Sequence, residues 1–368
     1  MSTWTGPSPF GAASASAGKP AVSEEAVIWA LRLFAGRDPA DAAEIALHQK
    51  HLSLESLRTA FLRTPEFEGF FNTASAGNRQ YGVPPFLLGP PRDPAIPWRF
   101  AQPSLAAPVS QLCTSSQFDE PLFAETVATF GLRPNRHRKV WENAYIVAVL
   151  LAEGLIRPGA RGLGFGCGRE RIPALLASRG VEILATDAPP EETFNQGWAT
   201  TNQYAASEDD LLFPEIIPEP DFRRLVRYAP VDMNAIPDLL DGHFDFCWSS
   251  CALEHLGSLR HGLDFIENSL RSLRPGGIAV HTTEFNLSSN DETIETSGLS
   301  IYRRRDIEDI CLRLASAGHE VFPLNLHPGH EAIDEYIDAP PYSLPHLKLM
   351  VGKFTLTSIG LVVKKRAG

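Results

Sequence analysis

Residues 161–190 read RGLGFGCGRERIPALLASRGVEILATDAPP, and this stretch limits the fold more than any other in the chain. An apolar run enters three alternating glycines, Gly164, Gly166 and Gly168, and a helical stretch follows. Val181 to Thr186 then leads to an acid, Asp187. Strand, glycine turn, helix and acid-ended strand form the opening unit of a nucleotide-binding α/β sheet. The glycines let backbone approach a ligand, and the helix they open turns its N-terminal amides toward it. The dinucleotide fingerprint GxGxxG is missing: its third glycine would fall on Cys167, Arg169 or Arg171 in the available frames. That disfavours NAD or FAD.

Helix and strand patterns alternate downstream. A leading helix spans about Lys139 to Gly154, strand one enters Gly166 and strand two ends at Asp187. LVRYAPVD, FDFCWSS and GIAVHTTEF read as strands three to five, with a helix from about Leu253 to Leu273 stopping at RPGG. RRDIEDICLRLASAGH is a helix, EVFPLNL a sixth strand and FTLTSIGLVVKK a seventh. This order predicts an α/β domain over residues 119–368. Its core would be a doubly wound, seven-stranded, mostly parallel sheet ending in a hairpin-like pair. Ahead of it, residues 74–118 are proline-rich (PPFLLGPPRDPAIP) and read as a linker. Residues 23–73 predict a small helical domain, with Ser23 capping the first helix and Leu54, Leu57, Phe61 and Leu62 in register on the third. Residues 1–22 are small-residue-rich and expected to be disordered.

Charge and cysteine content narrow the function. A formal net charge of −11 argues against a nucleic-acid partner, which requires a basic face. Arg303-Arg304-Arg305 and Lys364-Lys365-Arg366 are short and read as solvated surface. Five cysteines without a CxxC pair suit reduced thiols and give no zinc signature. With no apolar run long enough to span a membrane and no signal-peptide pattern at the N-terminus, a cytoplasmic protein is expected.

Several landmarks in order carry a resemblance. GFGCGRE, aligned on Gly166-Cys167-Gly168, is similar to the first motif of class I S-adenosylmethionine-dependent methyltransferases. Asp187, VDMNAIP, FDFCWSSCALEHL and LRPGG follow where that family has its later landmarks, so residues from about Lys139 to Arg366 resemble it. The resemblance implies S-adenosyl-L-methionine as cofactor. It also implies contacts from Gly164, Gly166 and Gly168, from Asp187 to the ribose hydroxyls, and from Asp232 to the adenine amino group with Met233 packed nearby. Trp141 lies on the segment that usually closes over the cofactor, and Ser249 stands at the exit of strand four. Two positions depart from the family: Gly164 stands where an acid is usual, and Glu170 where a third glycine is usual. Glu170 is expected to replace part of the missing charge.

Methyl transfer to a hydroxyl calls for a group that takes the proton. Histidine is the side chain suited to proton exchange in the physiological range, so His255 is the leading candidate base, with Glu254 beside it and His281 at the end of strand five as further candidates. ALEHL also resembles the ExxEH metal motif of ubiquinone-biosynthesis O-methyltransferases. Its first acid is replaced here by Cys251, which is ill matched to magnesium, so no metal is expected. His327 and His330 read as loop residues, and DAPPY, residues 338–342, as part of an acceptor-side lid with HLKL. Within residues 23–73, Leu33, Gly36-Arg37-Asp38-Pro39, Leu54, Phe61-Leu62 and Pro65-Glu66-Phe67 resemble the DUF4214 module, a helical unit related to phycobilisome linkers. Such modules accompany enzymes of bacterial surface glycans. The resemblance therefore implies a small-molecule or glycan acceptor and either docking to other glycan enzymes or a helical cap on the chain's own catalytic domain. The alternative is a non-catalytic S-adenosylmethionine-binding or glycan-assembly adaptor protein.

Overall fold

Three short α-helices, the first running on into a π-helical segment over Leu31–Ala35, lie in the described part of the first of two units, Met1–Asn78 and Arg79–Gly368. The computed structural model describes residues 22–35, 37–64, 80–189 and 204–368. Residues 1–21 of the expected tail, with Gly36 and Pro65-Glu66-Phe67 of the helical-module resemblance, lie outside these.

Each helix of the first unit starts on a side-chain cap, which satisfies amides that have no partner within the helix. Ser23 accepts from the Ala26 amide ahead of Glu24–Ala30, and Asp41 from Ala43 and Glu44 ahead of Ala42–His48. Ser53 and Ser56 form a reciprocal capping box at Leu54–Phe61. Val22, Val27, Ala30, Leu31, Leu57 and Phe61 form the core of this unit.

The second unit is built on one sheet. Its strands are β1 (Ser110–Leu112), β2 (Arg161–Phe165), β3 (Glu182–Asp187), β4 (Val226–Pro230), β5 (Phe244–Ser250), β6 (Leu273–Asn286), β7 (Glu320–Val321), β8 (Leu324–Asn325), β9 (Ile337–Asp338), β10 (Lys348–Val351) and β11 (Phe354–Lys364). The main path runs β4-β3-β2-β5-β6-β11-β1-β8. From β4 to β6 every pairing is parallel, and β11 returns antiparallel to β6. This is the predicted doubly wound, mostly parallel α/β sheet. Both faces are covered, so the strands carry apolar residues on both sides. Phe246, Trp248 and Val280 join the core under the helices Arg138–Ala152 and Ile172–Ser178. Cys247 and Ala279 join the opposite core, under Leu259–Ser269 and Arg304–Ser316.

The sheet departs from the seven strands expected. The predicted sixth strand is two short pieces, with β7 paired to β11 and β8 to β1. More consequentially, residues 80–118 are not a linker. They belong to the second unit, where β1 pairs with β11 and β8, and Leu87, Ile96 and Leu112 enter the same core as Leu163 and Phe165. A three-residue strand buried on both faces has no alternation to reveal it. Among the described residues, no helix is long and apolar enough to cross a membrane.

Candidate active site

At the carboxyl ends of β2, β3 and β5, where the sheet order switches from β2 to β5, lies a cleft of about 640 Å³. The glycine turn forms one wall. Gly166 and Gly168 have φ of 58° and 51°, in the left-handed region that favours glycine. A Cβ on Gly166 would stand 2.7 Å from the Ala252 Cβ and 3.3 Å from the Met233 Sδ. The turn must therefore be bare to leave the cleft open.

Asp187 ends β3 and accepts hydrogen bonds from the amides of Gly168 at 3.0 Å, Ala188 at 2.8 Å and Ala205 at 3.2 Å. Burial raises its pKa, and these amides only partly oppose the rise. Asp232 is half-buried on the rim, its Oδ1 accepting from the Asn234 amide, and Met233 packs beside it. Five residues expected at the cofactor therefore line this one cleft: Gly166, Gly168, Asp187, Asp232 and Met233.

Three others do not line it. Trp141 is fully buried in the core beneath the sheet, stacked on Tyr145, with its Nε1 donating to Gln117 Oε1 at 2.9 Å. Ser249 is buried and bonded to His281 at 2.8 Å. Gly164 lies inside β2, where a Cβ would come within 2.4 Å of Cys167 Sγ and 2.5 Å of the Trp248 ring. The Trp248 ring fills the space that an acid at this position would occupy. Trp248 also orients Glu170, whose Oε1 accepts from Trp248 Nε1 at 2.6 Å on the cleft wall. Burial pushes the Glu170 carboxyl up to about 8, against the hydrogen bonds from Trp248 and Cys167.

The three catalytic candidates separate. His255 lines the cleft, and its Nδ1 donates to the Gly298 carbonyl at 2.7 Å, so Nε2 is the acceptor nitrogen of the neutral ring. Glu254 is buried just beneath, held by the Thr283 hydroxyl at 3.0 Å. His281 lies outside the cleft, fully buried between Ser249 and Ser269, and burial lowers its pKa to about 3. It is a neutral core residue, contrary to the expectation of a base. His327 and His330 are loop residues, and nothing from Asp338 to Leu349 is among the residues lining the cleft.

The sequence reading did not bring together the residues of the cleft floor. Glu142, Lys139, Cys251 and Glu284 line it, with Arg138 buried behind them. Arg138 pairs with Glu284 at 2.7 Å and with Glu142 at 3.3 Å. Lys139, Arg138 and Glu142 are spaced three and four residues apart on one helix, whereas Cys251 follows β5 and Glu284 lies on β6. Cys251 has φ of 46°, the one non-glycine residue with positive φ among those described.

Residues 163–281 match the family profile described as a methyltransferase domain. No curated protein sequence matches the chain. Among solved structures, a putative sarcosine dimethylglycine methyltransferase from Galdieria sulphuraria aligns with a TM-score of 0.40 and 13% identity, covering 67% of this chain and 99% of its own. The 1,6-didemethyltoxoflavin-N1-methyltransferase of Burkholderia thailandensis aligns with a TM-score of 0.37 and 17% identity, covering 69% and 92%. The magnesium protoporphyrin IX methyltransferase of Synechocystis aligns at 0.36 and 13%, covering 61% and 82%.

Proposed function

We propose that this chain, whose residues 163–281 match a methyltransferase domain, transfers a methyl group from S-adenosylmethionine to a hydroxyl of a small molecule or surface-glycan sugar. The single observation that carries the site assignment is the convergence of the bare glycine turn, Asp187 and Asp232-Met233 on one cleft. These residues fit the cofactor. Asp187 would accept from the ribose hydroxyls and Asp232 from the adenine amino group, with Met233 packing against the base. Glu170 places a carboxyl beside the turn, held by Trp248, the residue that fills the place of the usual acid.

When bound, the cofactor supplies an electrophilic methyl on a sulfonium. His255 then takes the proton of the acceptor hydroxyl on Nε2, its ring held by the Gly298 carbonyl. The glycan acceptor, and docking to other glycan enzymes, rest on the resemblance of the N-terminal helices.

Calorimetric titration with S-adenosylhomocysteine tests the reading. Saturable binding is expected, with Asp187→Ala weakening it at least tenfold. No binding at high micromolar ligand rejects the cofactor, and unchanged affinity in Asp187→Ala rejects the ribose contact. His255→Ala is expected to slow transfer by about 10²-fold with little effect on binding. Binding without turnover over a broad acceptor panel favours the adaptor alternative.

A further inference from the structure

Glu142, Glu254 and Glu284 crowd one corner of the cleft floor, and each side chain is at least nine-tenths buried. One oxygen of each is fixed by the protein. The Thr283 hydroxyl donates to Glu254 Oε2, Arg138 pairs with Glu284 Oε1, and the Ser358 hydroxyl donates to Glu142 Oε1. The other oxygens, Glu254 Oε1, Glu284 Oε2 and Glu142 Oε2, are buried with no hydrogen-bond partner among the described residues. Each such group costs about 1–3 kcal/mol or more. Three of them gathered together, each steadied from behind, mark a place built to receive something.

Charge and chemistry narrow what that is. Three buried carboxyl groups face two cations, Arg138 and Lys139. The Lys139 ammonium is 3.5 Å from Glu284, 3.6 Å from Glu142 and 4.0 Å from Glu254, within ion-pair range but too far for good hydrogen bonds. Its side chain is 41% exposed, so it can withdraw toward solvent. Cys251 completes the corner. Its sulfur and one oxygen from each of Glu254 and Glu284 lie within 4.8 Å of one another. Bonds of about 2.0–2.3 Å around one ion place ligand atoms roughly 3.5–4.5 Å apart, so a small closure of these side chains suffices.

We propose that Cys251, Glu254 and Glu284 form a site for a divalent transition-metal cation of the zinc and cobalt class. Sulfur beside carboxylate oxygen disfavours magnesium and calcium, which take oxygen ligands, and suits borderline first-row ions. Arg138 and Thr283 position the carboxylates, and Glu142 offers a further oxygen nearby. Binding replaces the proton of the Cys251 thiol, which leaves to solvent, so affinity rises with pH. A cation here would draw an acceptor oxygen toward the transfer site and favour its deprotonation. That role rests on the transferase reading; the metal site itself does not.

The test uses the full chain, tag-free and stripped of metal, titrated with Co²⁺ in the absence of S-adenosylmethionine. One Co²⁺ per chain is expected, with a near-ultraviolet thiolate-to-cobalt band that Zn²⁺ displaces. Cys251→Ser should abolish the band, and Glu284→Gln should weaken binding at least tenfold, with folding of each variant checked by circular dichroism. A wild-type titration without the band up to millimolar Co²⁺ overturns the proposal. So does a band that persists in Cys251→Ser, or unchanged affinity in Glu284→Gln. Titration of the same preparation with S-adenosylhomocysteine reports on the transferase reading separately.

Discussion

Gly164 illustrates how one position can be decided by a neighbour that the sequence does not place beside it. The resemblance to class I methyltransferases makes it a departure from an expected acid, whereas the Trp248 ring makes any side chain there a clash. Gly164→Asp, which would restore the family residue, is therefore expected to destabilise the second unit by about 1–3 kcal/mol through overpacking, with a further penalty for buried charge. Urea denaturation would measure the loss, and a variant as stable as the wild type would contradict this account of Trp248. Glu170 gives a pH prediction. Its folded pKa of about 8 lies above the ordinary 4.5, so its stabilising contribution is complete below 4.5 and lost as pH rises through 8. Glu170→Gln keeps the oxygen that accepts from Trp248 Nε1 but cannot ionise. Its stability should fall less than the wild type's between pH 5 and pH 9, by about 1 kcal/mol or more, the energy of one pKa unit. Parallel slopes in urea melts across that range would show that Glu170 does not titrate as described.

Among the elements, β1 has the least sequence signal and a central place. Its three residues separate β11 from β8, with Gln111 opposite Gly360 on one side and Asn325 on the other. Removing it leaves the amide and carbonyl groups of β11 unpaired along a newly exposed edge, which favours aggregation. A chain starting at residue 119, the domain boundary expected from the proline-rich composition, should lack a cooperative melt and collect in the insoluble fraction. A soluble, cooperatively folding 119–368 fragment would mean that β1 is dispensable. The helix Arg138–Ala152 carries the opposite lesson. Its periodicity was plain, but which of its residues face the cleft was not: Lys139 and Glu142 line it while Trp141 stays in the core.

On the scale of the whole molecule, every residue lining the cleft belongs to the unit Arg79–Gly368. A 79–368 chain is expected to bind S-adenosylhomocysteine within about twofold of the full chain, because no cleft side chain is lost. Calorimetry on the two proteins would check this, and a loss beyond tenfold would assign the N-terminal unit a part in the site. The N-terminal helices would then act on the cofactor site itself, beyond the docking role proposed for them.

Local order in the chain was enough for the parallel sheet, the glycine turn and the acid at the end of β3. Period, glycine placement and strand ends are set by residues within a few positions of one another. The absence of GxGxxG likewise lay open in a single stretch. Only the tertiary structure decided that Trp248 fills the place of the missing acid, that His281 is a core residue and that residues 80–118 complete the sheet. It alone brought Glu142, Cys251, Glu254 and Glu284 to one corner, from a helix, a strand exit and a second strand. These outcomes depend on which distant side chains share a volume once both faces of the sheet are packed, and no periodicity along the chain encodes that.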